Sequence, residues 1–72
     1  MERQYVDSTM ITSIGYDQAS STLEVEFKTG VIWDYPGFPE YLWYEFQAAD
    51  SKGIFFHRNI KKQYTPVGYR VN

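Results

Sequence analysis

Hydrophobic and polar positions alternate most regularly over residues 22–28, where Leu23, Val25 and Phe27 interleave with Glu24, Glu26 and Lys28. A period of two predicts a half-buried strand. The alternation resumes over 31–35, with Val31, Trp33 and Tyr35 on one face. A two-residue loop, Thr29-Gly30, would pair Val25 with Asp34 and set a carboxylate on the apolar face. A three-residue loop, Lys28-Thr29-Gly30, pairs Phe27 with Val31, Val25 with Trp33 and Leu23 with Tyr35, so the inward residues agree. A slip of one residue would turn a whole face to solvent, which favours the second register. Gly30 then occupies the last loop position in the left-handed region, forming a bulge. A preceding strand over 10–16 places Met10, Thr12, Ile14 and Tyr16 on one face, joined through the turn-rich run Asp17-Gln18-Ala19-Ser20-Ser21.

After Pro36-Gly37 the period changes. Pro39 suits the first turn of a helix, where its missing N–H costs nothing, and Glu40 follows near the positive helix end. Leu42, Phe46 and Ala49 then form a helical stripe, flanked by Tyr41 and Trp43. Asp50 or Ser51 ends this helix and caps the next. Residues 54–62 predict a second short helix, with Phe56, Ile60 and Tyr64 inward and Lys52, Arg58 and Lys61 outward. Pro66 and Gly68 stop it, and the tail over 67–72 is an edge strand or loose. The expected fold is α+β, a three-stranded antiparallel β-meander packed against two short C-terminal helices. It forms a single domain over 1–72, with a core at about 8–64, a polar N-terminal arm and a short C-terminal tail.

Composition narrows the chemistry. At 72 residues the chain sits near the lower limit for a single core, and it has no cysteine for disulfides or a cysteine-ligated zinc site. Two Trp, seven Tyr and five Phe supply the burial instead, and most of these rings are expected to be core. Oligomerisation is the other remedy for a small domain, so a homodimer stays open. No apolar run approaches the roughly 20 residues of a transmembrane helix, and the polar start predicts a cytoplasmic location. No cofactor, metal or membrane partner is expected.

Charge is segregated along the chain. Residues 1–50 carry all nine acidic groups with only Arg3 and Lys28, whereas 51–72 carry the other five bases and no acid. Those bases are interleaved with Phe55, Phe56, His57, Tyr64 and Tyr69. Cations that meet phosphates, beside rings that stack on bases, are the ingredients of nucleic-acid contact. The competing reading is a basic flank that pairs with the protein's own acidic sheet. A pI near 5.2 argues against strong duplex binding.

Other constellations are weaker. His57 is the only side chain with an ordinary pKa near neutrality, and Asp50, Ser51 and His57 lie close in sequence without a spacing that specifies a triad. The chain is therefore expected to have no catalytic residues and not to be an enzyme. Gly53, at a helix start beside Lys52, offers either an anion-receiving terminus or a turn that needs no Cβ. Trp33 and Tyr35 point inward on the preferred register; pointing outward, they would form a stacking platform.

Four segments together are distinctive: Ile14-Gly15-Tyr16-Asp17, Leu23-Glu24-Val25-Glu26-Phe27-Lys28-Thr29-Gly30, Trp33-Asp34-Tyr35, and the run from Ala49 through Ser51-Lys52-Gly53-Ile54-Phe55-Phe56 to Ile60. They resemble the KTSC domain, a family named for its place at the C-terminus of some lysyl-tRNA synthetases and found also as stand-alone bacterial or phage proteins. The resemblance covers about Ser8 to Tyr64. It departs from the family's usual Tyr-x-Tyr at Trp33. It marks Tyr35, Lys52, Gly53, Phe55, Phe56, Arg58 and Asn59 as the family-like face, and attachment to a synthetase implies an RNA-binding role. The leading expectation is thus a non-enzymatic module that binds RNA or single-stranded nucleic acid weakly through Lys52, His57, Arg58, Lys61, Lys62, Tyr64 and Arg70. The alternative is a protein-interaction module or homodimer, acting as a phage or bacterial accessory protein, with an aromatic interface at Tyr41, Trp43 and Tyr44.

Overall fold

The central hairpin adopts the register that its alternation dictates. Strand β3 (Thr22–Phe27) pairs antiparallel with β4 (Val31–Tyr35), with Leu23 opposite Tyr35 and Val25 opposite Trp33. Gly30 has φ +91° and donates its N–H to the Phe27 carbonyl at 2.9 Å. A residue with a Cβ is strained at that φ, which is why the three-residue loop ends on glycine.

The structure, a computed structural model, describes residues 3–71, with side chains through Val67. Its sheet has five strands rather than the expected three. Around the hairpin lie β1 (Arg3–Tyr5), β2 (Ile11–Asp17) and β5 (Val67–Val71), in the antiparallel order β1-β2-β3-β4-β5. The polar arm supplies β1, paired with β2 from Arg3↔Gly15 to Tyr5↔Ser13. The tail supplies β5, paired with β4 at Val31↔Val71 and Ile32↔Arg70. Both additions are edge strands, whose partners complete their hydrogen bonds on one side only.

Two helices, α1 (Glu40–Ala48) and α2 (Lys52–Asn59), interrupt the meander between β4 and β5. Pro39 is the N-cap residue of α1, and its carbonyl accepts the N–H groups of Leu42 and Trp43. Ser51 caps α2, its Oγ accepting the Ile54 N–H at 3.2 Å. Aromatic pairs fasten this layer. Phe46 stacks on Phe55 at 5.1 Å, joining the helices. Phe56 meets Phe27 and Tyr35 edge to face at 5.3 and 5.8 Å, and Trp43 stacks on Tyr16 at 5.6 Å.

Strand β2 departs from the expected facing. The register shifts between Ile11 and Ser13, so that Ile11 opposes Phe27 and Ile14 opposes Val25. This bulge at Thr12 lets Ile11 and Ile14, three residues apart, both enter the core. The other sheet face is also more enclosed than its sequence suggests. Glu24 and Glu26 are only 8% and 5% exposed, because β3 is central in the sheet and strands flank it on both sides. Arg3 forms an ion pair with Glu24 at 3.0 Å, and the Ser13 hydroxyl donates to Glu26 at 2.8 Å. Among the described residues no helix is long and apolar enough to cross a membrane.

Candidate functional site

The helix layer covers the sheet unevenly. At the β3–β4 end remote from the turn, Leu23, Val25 and Tyr35 are buried under Phe38, Phe46, Phe56 and Ile60. Toward the turn, Phe27 and Val31 share the same face but are only half-buried, as is Trp33 opposite Val25. The space left there is a groove of about 630 Å³. Sites for small ligands commonly fall between about 300 and 1,000 Å³.

The floor of the groove is aromatic: Phe27, Trp33, Tyr35 and Phe56. Lys28 and Thr29 of the hairpin turn line it, as do His57 of α2 and Lys61 of the turn that follows α2. Thr9, Met10 and Pro66 complete the rim. The arrangement combines flat apolar surface with basic side chains at its edge. Within the floor, burial pushes the Tyr35 phenol from its ordinary pKa of 10.0 up to about 12, so it stays a neutral donor at physiological pH.

The expected basic site residues divide into two groups. His57, Arg58, Lys61 and Lys62 are exposed, and none of them forms an ion pair among the described residues. The competing idea, a flank neutralised by its own acidic sheet, therefore has no ion pair behind it at these four positions among the described residues. Lys52 is tied down: its Nζ donates to the Ala49 carbonyl at 2.6 Å, closing the turn between the helices. Tyr64 packs against Phe38 at 5.1 Å. The backbone of Arg70 lies opposite Ile32, and its side chain falls outside the described residues. Of the alternative interface, Tyr41 and Tyr44 are 65% and 60% exposed, whereas Trp43 is half-buried against Tyr16.

A second hollow, of about 520 Å³, lies at the start of α2 and is bordered by Asp7, Ser8, Asp50, Ser51, Gly53 and His57. It gathers Asp50, Ser51 and His57, but the Ser51 Oγ already holds the Ile54 N–H. Two carboxylates on its border and a Lys52 directed elsewhere make it a poor receiver of anions. Gly53 has a packing role instead. A Cβ there would lie 3.2 Å from Met10 Sδ and 3.6 Å from Ser8 Oγ, so its absence lets α2 approach the segment before β2.

Sequence reasoning found His57 and Lys61 but missed Lys28 as their counterpart. It also treated Trp33 and Tyr35 as either core or an outward platform, whereas they face the helices beside an opening. Three-residue hairpin registry carried the facing; nothing in it carried where α2 stops.

Known proteins resemble this chain over most of its length. The KTSC domain profile matches residues 7–64. The crystal structure of a KTSC domain protein from Yersinia pestis superposes with a TM-score of 0.86 at 38% identity, covering 99% of this chain and 96% of that one. An uncharacterized protein of Stutzerimonas stutzeri is 34% identical over 64 residues, which are 89% of this chain and 90% of the relative. A lysine–tRNA ligase of Nostoc is 34% identical over 58 residues, 81% of this chain but 10% of the ligase.

Proposed function

The chain belongs to the KTSC domain family, a family of small domains of unknown function, and from that premise we propose that it is a non-enzymatic module that binds single-stranded RNA weakly. One observation carries this reading. An aromatic floor of Phe27, Trp33, Tyr35 and Phe56 meets Lys28, His57 and Lys61 at its rim, with Arg58 and Lys62 exposed nearby in the chain. Rings accept unpaired bases by stacking, and the cations balance backbone phosphates. Recurrence of the domain within a lysine–tRNA ligase supports the choice of RNA. A net charge of -2 keeps the affinity modest.

The test is an amide chemical-shift titration with single-stranded RNA and tRNA at low and moderate salt. Shifts around the groove and α2 that fade as salt rises are expected. Each phosphate contact contributes about -0.7 to the slope of log K against log salt for a single strand, so Lys61→Ala with Lys62→Ala flattens the slope by about 1.4. Unchanged binding in that double variant, or no shifts at low salt, overturns the reading.

The exposed Tyr41 and Tyr44 favour a second reading, a protein-interaction surface or homodimer face on α1. Its association would change little with salt, because apolar contact is not screened. Light scattering over a concentration series tests the dimer, and a strict monomer throughout removes it.

A further inference from the structure

The floor of the groove contains a hydroxyl whose partner the described residues do not supply. Tyr35 is 4% exposed, and its hydroxyl makes no hydrogen bond among the described residues. Among those residues no side-chain polar atom is both fully enclosed and unpaired. The hydroxyl therefore reaches open space, and the space that Tyr35 borders is the groove. A phenol in that position both donates and accepts, and leaving it unmatched against a bound ring is costly.

The surroundings restrict what the hydroxyl meets. Trp33, Phe27 and Phe56 offer flat apolar surface, which suits a planar heterocycle. Lys28 and Lys61 both line the groove, from the hairpin turn and from the turn after α2, so an anion carried by that heterocycle meets cations there. A base within a duplex is stacked on both faces and presents only its edge, so a recessed floor admits an unstacked base. From this we infer that the groove seats a single unstacked nucleobase and that the Tyr35 hydroxyl hydrogen-bonds its edge, making Tyr35 the residue that sets base preference. The inference rests on the nucleic-acid reading above and assigns its specificity. Because burial keeps the phenol protonated well above neutral pH, its donor is present throughout the physiological range.

The experiment follows the Trp33 and Trp43 indole N–H signals and the backbone amides while AMP, GMP, CMP, UMP or ribose 5-phosphate is added. The nucleotides are expected to shift Trp33 and the groove amides, to leave Trp43 in place, and to differ in affinity by about 3- to 10-fold. Ribose 5-phosphate is expected to shift only residues near Lys28 and Lys61. Tyr35→Phe keeps the ring and removes the hydroxyl; it should compress the ranking to within about twofold while the weakest nucleotide binds as before. Equal Trp33 shifts from ribose 5-phosphate, or an unchanged ranking in Y35F, overturns the base pocket. The sugar-phosphate comparison uses the native protein, so the proposal stays testable even if Y35F folds poorly. If mononucleotides leave Trp33 unmoved while RNA oligomers shift α2, the pocket falls and the RNA-binding reading stands. If RNA oligomers shift nothing either, both fall.

Discussion

The β3–β4 hairpin is closed at one end and open at the other, and the two ends use the same kinds of residue. At the closed end Leu23 and Val25 are fully buried beneath Phe38 and Phe46. Toward the turn Phe27 and Val31, together with Trp33 opposite Val25, occupy equivalent positions in the alternation and remain half-buried. The difference lies in the cover. α2 ends at Asn59, and the chain then runs through a turn to Pro66, which lines the groove. An aromatic strand end is thus core or binding surface according to what lies above it, and this molecule has both on one hairpin.

The strongest way to break the comparison is to remove volume at the closed end. Phe46→Ala deletes a fully buried ring and is expected to cost about 3–5 kcal/mol, which is most or all of the stability of a domain this small. Chemical denaturation followed by circular dichroism should show little folded protein. Trp33→Ala at the open end removes a larger ring yet should cost clearly less, about 1–2 kcal/mol, while abolishing RNA-induced shifts in the groove. Equal losses for the two variants would show that the groove end is packed core.

Alkaline titration sharpens the boundary between the ends. Tyr35 borders both, and its phenol is held at about 12 against 10.0 for an exposed tyrosine. The folded state holds this proton more tightly than the unfolded chain. Its contribution is therefore complete below pH 10 and disappears as pH rises toward 12. Denaturation midpoints of the native protein and Y35F should converge or cross over that window. Parallel curves would mean that the phenol is already well solvated by the groove.

A smaller effect tests the helix that forms the groove wall. Ser51→Ala removes the cap on Ile54 and should cost about 1 kcal/mol by denaturation, with the closed end unaffected in its amide pattern. Smallest of all, Lys61→Ala with Lys62→Ala should leave stability within about 0.5 kcal/mol, since both side chains are exposed, while weakening RNA binding. A large stability loss there would reveal a structural role for these cations.

Much of this was legible along the chain, for reasons that are local. The hairpin register followed from alternation and from a glycine that alone tolerates φ +91°. Pro39 and Ser51 marked helix starts because a helix N-terminus leaves N–H groups that a few residue types tolerate or satisfy. The family-like run through Ser51-Lys52-Gly53 also placed α2, although its Lys52 proved to hold a carbonyl rather than face solvent. Other features had no local signature. Residues 3–5 and 67–71 do not alternate strongly, and they become strands only because β2 and β4 present unpaired edges. The bulge at Thr12 is a compromise between two strands, invisible in either one alone.

Sequence by itself therefore determined the elements whose cause is short-range: the central hairpin, its inward face, the two capped helices and the concentration of cations near the C-terminal end. Tertiary structure decided which apolar residues are covered and which charges are enclosed. Glu24 and Glu26 are buried because β3 is the middle strand of five, and Trp33 is only half-buried although Val25 opposite it is fully enclosed. Both outcomes depend on the spatial reach of segments distant in sequence, and a periodicity that specifies a face carries no information about what will lie against it.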